Sequence, residues 1–172
     1  MSLYQDSVVQ MSKMLRNLAA WLAKANAFAQ TKECSPDDFV GFRLTFDMRP
    51  LAFQVQSACD SAKFAAAKLT GTTPPSHPDT EATMAELEQR VATVLEYLDG
   101  FKPEQFEGAA EREATLAFLP GKAMYGGDYL REMALPNFYF HVTMAYALLR
   151  LAGVKVGKMD YISSLTLHDA PK

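Results

Sequence analysis

The chain has 172 residues, 49% hydrophobic and 22% charged, with a formal net charge of −3. That is enough for one domain, residues 1–172, with a real core, and the slight negative charge gives no pull toward nucleic acid or an anionic membrane. Two cysteines without CxxC spacing, no signal-like start in MSLYQDSVVQ and no long uninterrupted apolar window exclude a disulfide scaffold and a membrane span, and point to the cytoplasm.

The first helix is predicted from about Leu3 to Ala29. Tyr4, Val8, Met11, Leu15, Leu18, Leu22 and Ala25 recur at alternating steps of four and three, the seam of a bundle helix. Thr31 to Thr45 reads as a connection in which Ser35-Pro36-Asp37-Asp38 supplies turn chemistry. The part carrying Phe39, Phe42, Leu44 and Phe46 reads equally as a short extended run or as one helical turn.

Helix two follows from about Met48 or Pro50 to Leu69, with Asp47 as a candidate cap and Gly71 as its stop. Its apolar face is Leu51, Val55, Ala58, Ala62, Ala66 and Leu69. A second stripe carries Gln56, Asp60 and Lys63, flanked by Phe53, Cys59 and Phe64. Helix three is predicted from about Asp79 to Leu98, with Arg90 among the polar residues of its outer face. Phe101 to Ala134 is irregular. Its two short apolar runs, split by Pro120-Gly121, suit either a hairpin or a single extended excursion.

Helix four is predicted from Leu135 or Pro136 to Gly153. At about 100° per residue, Asn137, Phe138, His141, Met144, Ala145, Leu148, Leu149 and Ala152 share one face. His141 therefore points into the core. Tyr139, Thr143, Tyr146 and Arg150 share the opposite, outward face. Outward aromatics on a bundle helix mark contacts with another chain, so a homodimer is expected. The tail after Gly153 reads as a loop, a helical turn and a polar end. Together these elements give an all-α, up-down four-helix bundle with irregular connections before helices two and four.

The stretches RPLAFQVQSACDSAKFAAAKLTG and LPNFYFHVTMAYALLRLAGVKVGKMDYI resemble the DinB/YfiT-like superfamily, in a branch known as a domain of unknown function. The resemblance covers nearly the whole chain. It implies the same bundle, and often a metal-dependent thiol transferase or isomerase. Such members use one histidine on helix two and a pair four residues apart on the last helix, a spacing that lets both imidazoles reach one ion. Here the first of the pair falls on His141 and the second on Ala145, which has no ligand atom. Helix two has no histidine. The resemblance therefore implies a degenerate site with no metal and no cofactor.

Each candidate has a plain structural reading beside the functional one. His141 is either a core imidazole with a partner on each nitrogen, or a base or ligand anchor in a pocket without its metal. Gln56, Asp60 and Lys63 are either a solvated stripe or a pocket wall among aromatics. Cys59 as a nucleophile needs a base and a lowered pKa. His77 in the linker and His168 in the tail read as exposed. The reading reached is a small-molecule or partner-binding module, with ligand-binding residues His141, Gln56, Asp60 and Lys63. The alternatives are a transferase or hydrolase that uses His141, and an interaction protein without a pocket.

Overall fold

The computed structural model describes residues 2–170; Met1, Pro171 and Lys172, the last two at the end of the predicted tail, lie outside the described residues. Four long helices carry the chain: α1 (Gln10–Thr31), α2 (Leu51–Thr70), α3 (Met84–Asp99) and α4 (Leu135–Leu151). A π-helical turn, Gln5–Val9, precedes α1, and a short helix α5 (Lys158–Ile162) follows α4. None of the described helices is long and apolar enough to cross a membrane.

The predicted seam of α1 is buried from Val8 to Ala25, and the predicted apolar face of α2 is buried throughout. Burial of each large apolar side chain stabilises the fold by about 1.5–3 kcal/mol. α2 packs most extensively on α4 and then on α3, while α1 packs on α3 and α4. Consecutive helices α1 and α2 thus lie diagonally across the bundle, as do α3 and α4. Both diagonal crossings coincide with the long irregular connections, because only a long connection can span the bundle end.

The start of α2 differs from the sequence expectation. Pro50 is its N-cap, with no side-chain cap, so Asp47 does not serve. Instead the amides of Leu51 and Ala52 donate to the carbonyls of Phe42 and Val40, at 2.9 and 3.1 Å. The preceding connection therefore satisfies the first turn. That connection contains one 3-10 turn, Pro36–Phe39, capped by Ser35. Gly71, with φ of 72°, closes α2 in the left-handed conformation that glycine adopts without a Cβ clash.

α3 starts five residues later than predicted. Thr83 and Glu86 form a reciprocal capping box, and Asp37 adds an acceptor 2.7 Å from the Met84 amide. Asp79 to Ala82 stay outside the helix, with Asp79 at a φ of 54°, and Asp79 and Glu81 reach Arg90 instead.

The excursion before α4 is a hairpin. β1 (Glu113–Thr115) pairs antiparallel with β2 (Ala123–Tyr125), Ala114 opposite Met124. The last helix then begins earlier than predicted, with Gly126–Asp128 and a π-helical stretch Tyr129–Ala134. Pro136 lacks the N–H that would bond one turn back and its ring crowds that carbonyl. The wider π turn just before it lets the helix run through the proline. At the other end, Gly153 and Val154 donate to Arg150 and Leu149, both at 3.0 Å, which is a Schellman ending on the expected glycine.

Candidate functional site

One face of α2 carries Ser57, Ser61, Phe64 and Lys68, each three or four residues from the last. One face of the last helix carries Met133, Asn137 and His141, four apart. The hairpin loop lays Leu116 and Phe118 across the gap. Between these walls is a cavity of about 330 Å3, within the usual range of a small-molecule site. Asp60, Thr115, Ala117, Tyr129 and Ala134 complete its lining.

His141 is half-buried on this wall. Its Nδ1 lies 2.8 Å from Gln54 Oε1. Gln54 is only 2% exposed, and its Nε2 donates to the Arg49 carbonyl at 3.1 Å. A carbonyl can only accept, so the Gln54 amide is fixed with its oxygen toward the imidazole. Nδ1 must then carry the proton. Burial holds the imidazole pKa below its ordinary 6.5, so the ring is neutral at pH 7. Among the described residues Nε2 has no protein partner and is not sealed from solvent, which leaves it an acceptor for a ligand. Phe53 and Phe140 meet the ring edge-on, with centroids at 5.8 and 5.2 Å.

Asn137 donates to Ser61 Oγ at 2.7 Å, and Ser61 donates to the Ser57 carbonyl at 2.6 Å. Lys68 Nζ donates to the Thr115 carbonyl at 2.5 Å and so ties the hairpin to α2. Arg112 adds a second tie, to the Leu69 carbonyl. Burial pushes the Tyr129 phenol up to about 12, so it stays protonated.

The expected partners of His141 are elsewhere. Gln56 faces the linker and donates to Glu81 at 2.9 Å. Lys63 is 2% exposed and lies 2.6 Å from Asp60 and 3.0 Å from His77 Nδ1. Arg90, read from sequence as outward, is buried and bridges Asp60, Glu81 and Asp79 at 2.7, 2.8 and 2.9 Å. Gln56 and Lys63 therefore do not line the cavity, since the α2–α3 contact claims them. Asp60 belongs to both groups and makes no hydrogen bond to His141. His77 is not exposed as the sequence suggested: it is partly buried and accepts from Lys63. His168 is exposed, as read.

Cys59 is fully buried, and that burial pushes its thiol up to about 12, which leaves no thiolate at neutral pH. Ala145 is also fully buried in the core. The polar residue of the last helix that shares the cavity wall with His141 is Asn137, one turn earlier. Asn137 stood on the His141 face in the sequence, and the four-residue spacing of Ser57, Ser61 and Asn137, His141 was visible there. What the spacing lacked was which helix faces which.

Tyr139 and Tyr146 are not outward. Tyr139 accepts from Gln10 at 2.8 Å, and Tyr146 packs edge-on against Trp21 and Tyr161. The tail docked by α5 covers that face: Trp21 donates to the Asp160 carbonyl and Asn17 to the Tyr161 carbonyl.

Residues 3–162 match the family model described as a domain of unknown function, DUF1993. The chain belongs to the DUF1993 family. It is also similar to the solved structure of a DinB family member protein from Shewanella denitrificans. That likeness is 47% identical, covers 98% of this chain and 96% of that one, and has a TM-score of 0.93. No curated protein matches this DUF1993 chain. The all-α fold and the DinB resemblance read from the sequence both hold.

Among the described residues, no three or more His, Cys, Asp or Glu side chains come together as a metal-binding group. The donors at the cavity are one imidazole nitrogen, a carboxylate already shared by two cations, one neutral amide and hydroxyls. That set does not fit the three protein ligands that a catalytic zinc requires.

Proposed function

We propose that this DUF1993 chain is a single DinB-like domain, 1–172, that binds a small organic molecule in the α2–α4 cavity, on a metal site that has degenerated. The observation that carries the reading is the His141 Nε2 acceptor, held in one tautomer at the cavity wall by Gln54 and the Arg49 carbonyl. Asn137, Ser61 and Asp60 add neutral and acidic groups beside an apolar roof. A ligand hydroxyl, amine or amide N–H meets His141. Lys63 acts through Asp60, by holding its carboxylate in place, and Gln56 acts one step further off, by holding Glu81 against the Arg90 that Asp60 also meets.

The same neutral imidazole favours a second reading, a transferase or hydrolase in which His141 serves as general base. A cytoplasmic location is proposed on the two free cysteines. A homodimer would have to use a surface other than Tyr139 and Tyr146, such as the one around Phe140, which is 53% exposed. Light scattering at micromolar concentration decides the mass. Tyr139→Ala with Tyr146→Ala is expected to lower thermal stability without changing that mass.

Metal analysis and nitrogen NMR of His141 test the main reading together. The expected result is no stoichiometric metal and a Nδ1–H tautomer whose Nε2 signal moves when a cavity ligand binds. A stoichiometric transition metal that disappears in His141→Ala would overturn it. So would a thermal-shift screen over small acids, alcohols, amines and thiols in which nothing moves either the melting temperature or the His141 signal.

A further inference from the structure

Among the described residues, Lys68 is the one cation on the cavity wall. Its ammonium has three donors; among the described residues one hydrogen bond is made, to the Thr115 carbonyl, and the Tyr129 ring lies 5.8 Å from the nitrogen. No carboxylate among the described residues lies within ion-pair distance of it. Asp60, the only carboxylate on the same wall among the described residues, is engaged by Arg90 and Lys63. It also stands eight residues back along α2, a rise of about 12 Å. Glu113 borders a neighbouring, more open depression of about 450 Å3 that also includes Lys68, but makes no ion pair with it. Burial lowers the Lys68 pKa, the cost of holding a charge with no counter-ion. Leu116 and Phe118 from the hairpin, with Phe64 and Met133 from the helices, line the space beside it with apolar surface.

We propose that the molecule taken by this cavity is an amphipathic carboxylate, with its anionic head on Lys68 Nζ and its apolar body between Phe64, Met133, Leu116 and Phe118. The inference rests on the reading of the cavity as a small-molecule site and adds the chemical class. A carboxylate supplies the missing counter-ion where the backbone carbonyl of Thr115 supplies only a dipole. Charge-assisted hydrogen bonds of this kind are the strong ones.

The test uses hexanoate, octanoate and decanoate, each beside the matching alcohol and amine, titrated into the full chain. Binding is followed by calorimetry and by the amide signals of Leu116, Ala117 and Phe118. The acid is expected to bind about tenfold more tightly than its alcohol. Lys68→Met should remove that preference and leave the alcohol unchanged, while Lys68→Arg should keep it. Lys68→Arg retains both the charge and the tie to the hairpin, so a fold defect in Lys68→Met does not blur the outcome. Equal binding of acid and alcohol, or preference for the amine, overturns the carboxylate but leaves the cavity reading standing. If none of the three series binds, the carboxylate is overturned too, and the wider ligand screen then decides the cavity reading by itself.

Discussion

The two polar faces of α2 are treated in opposite ways. The face carrying Gln56, Asp60 and Lys63 is closed by α3 and the linker, and nearly every charge on it is answered inside the chain. The face carrying Ser57, Ser61 and Lys68 opens on a cavity and keeps unused donors and acceptors. The charged stripe looked the better site in the sequence, yet it is the structural one. A buried ion carries a desolvation cost and must find partners within the fold. A binding face must leave valence over for something else.

The largest expected effect breaks the closed face. Arg90→Met removes the cation shared by Asp60, Glu81 and Asp79, and should cost about 3–5 kcal/mol in urea unfolding. A loss under about 1 kcal/mol would mean the network is solvated and the contrast is false. Replacing Arg90 also frees the linker, so faster proteolysis within Gly71–Ala82 is expected.

Asn137→Ala sharpens the open face. It removes the bond to Ser61 and should cost only about 1 kcal/mol of stability. Its larger effect should be on ligand response, since the cavity loses a polar group. A variant with lost stability and an unchanged thermal-shift response would move Asn137 from the binding face to the structural one.

The smallest effect is on pH dependence, and it touches both faces. His141 and His77 each have a pKa lowered from 6.5, led by burial, and for His77 also by Arg90 and Lys63. In the unfolded chain both take a proton near pH 6.5, while in the fold they do so only at lower pH. The unfolded state therefore binds more protons in that window, and stability falls as pH drops below about 6.5. Below the folded values it levels off, until acidic groups such as Glu81, whose pKa is lowered by hydrogen bonds and Arg90, begin to titrate. His141→Gln and His77→Gln should each reduce the slope between pH 7 and 5. No change in either variant would mean the imidazoles are solvated.

Much of the fold could be read from local pattern. The α1 seam, the alanine face of α2, the Gly71 and Gly153 stops and the burial of Phe138, Ala145, Leu148 and Leu149 on α4 all follow from helical period and backbone geometry, whereas the covering of Val142, Tyr139 and Tyr146 does not. The α3 start was misplaced because Thr83-Met84-Ala85-Glu86 competes with a plausible earlier start, and only the reach of Asp79 and Glu81 to Arg90 decides between them. The early start of the last helix was hidden by Pro136, which normally opens a helix and here is passed by a π turn. Of the four expected site residues, His141 and Asp60 stand on the cavity wall, while Gln56 and Lys63 stand behind it.

The sequence by itself determined which residues share a face of each helix, because that depends only on a rotation of about 100° per residue. It also determined that His141 has no histidine one turn later. The tertiary structure alone decided which face meets which. α1 crosses to α2 and α3 crosses to α4 diagonally, so α2 presents one polar stripe to α3 and another to α4. That order around the bundle is set by the packing of all four helices at once, and no single stretch of the chain encodes it.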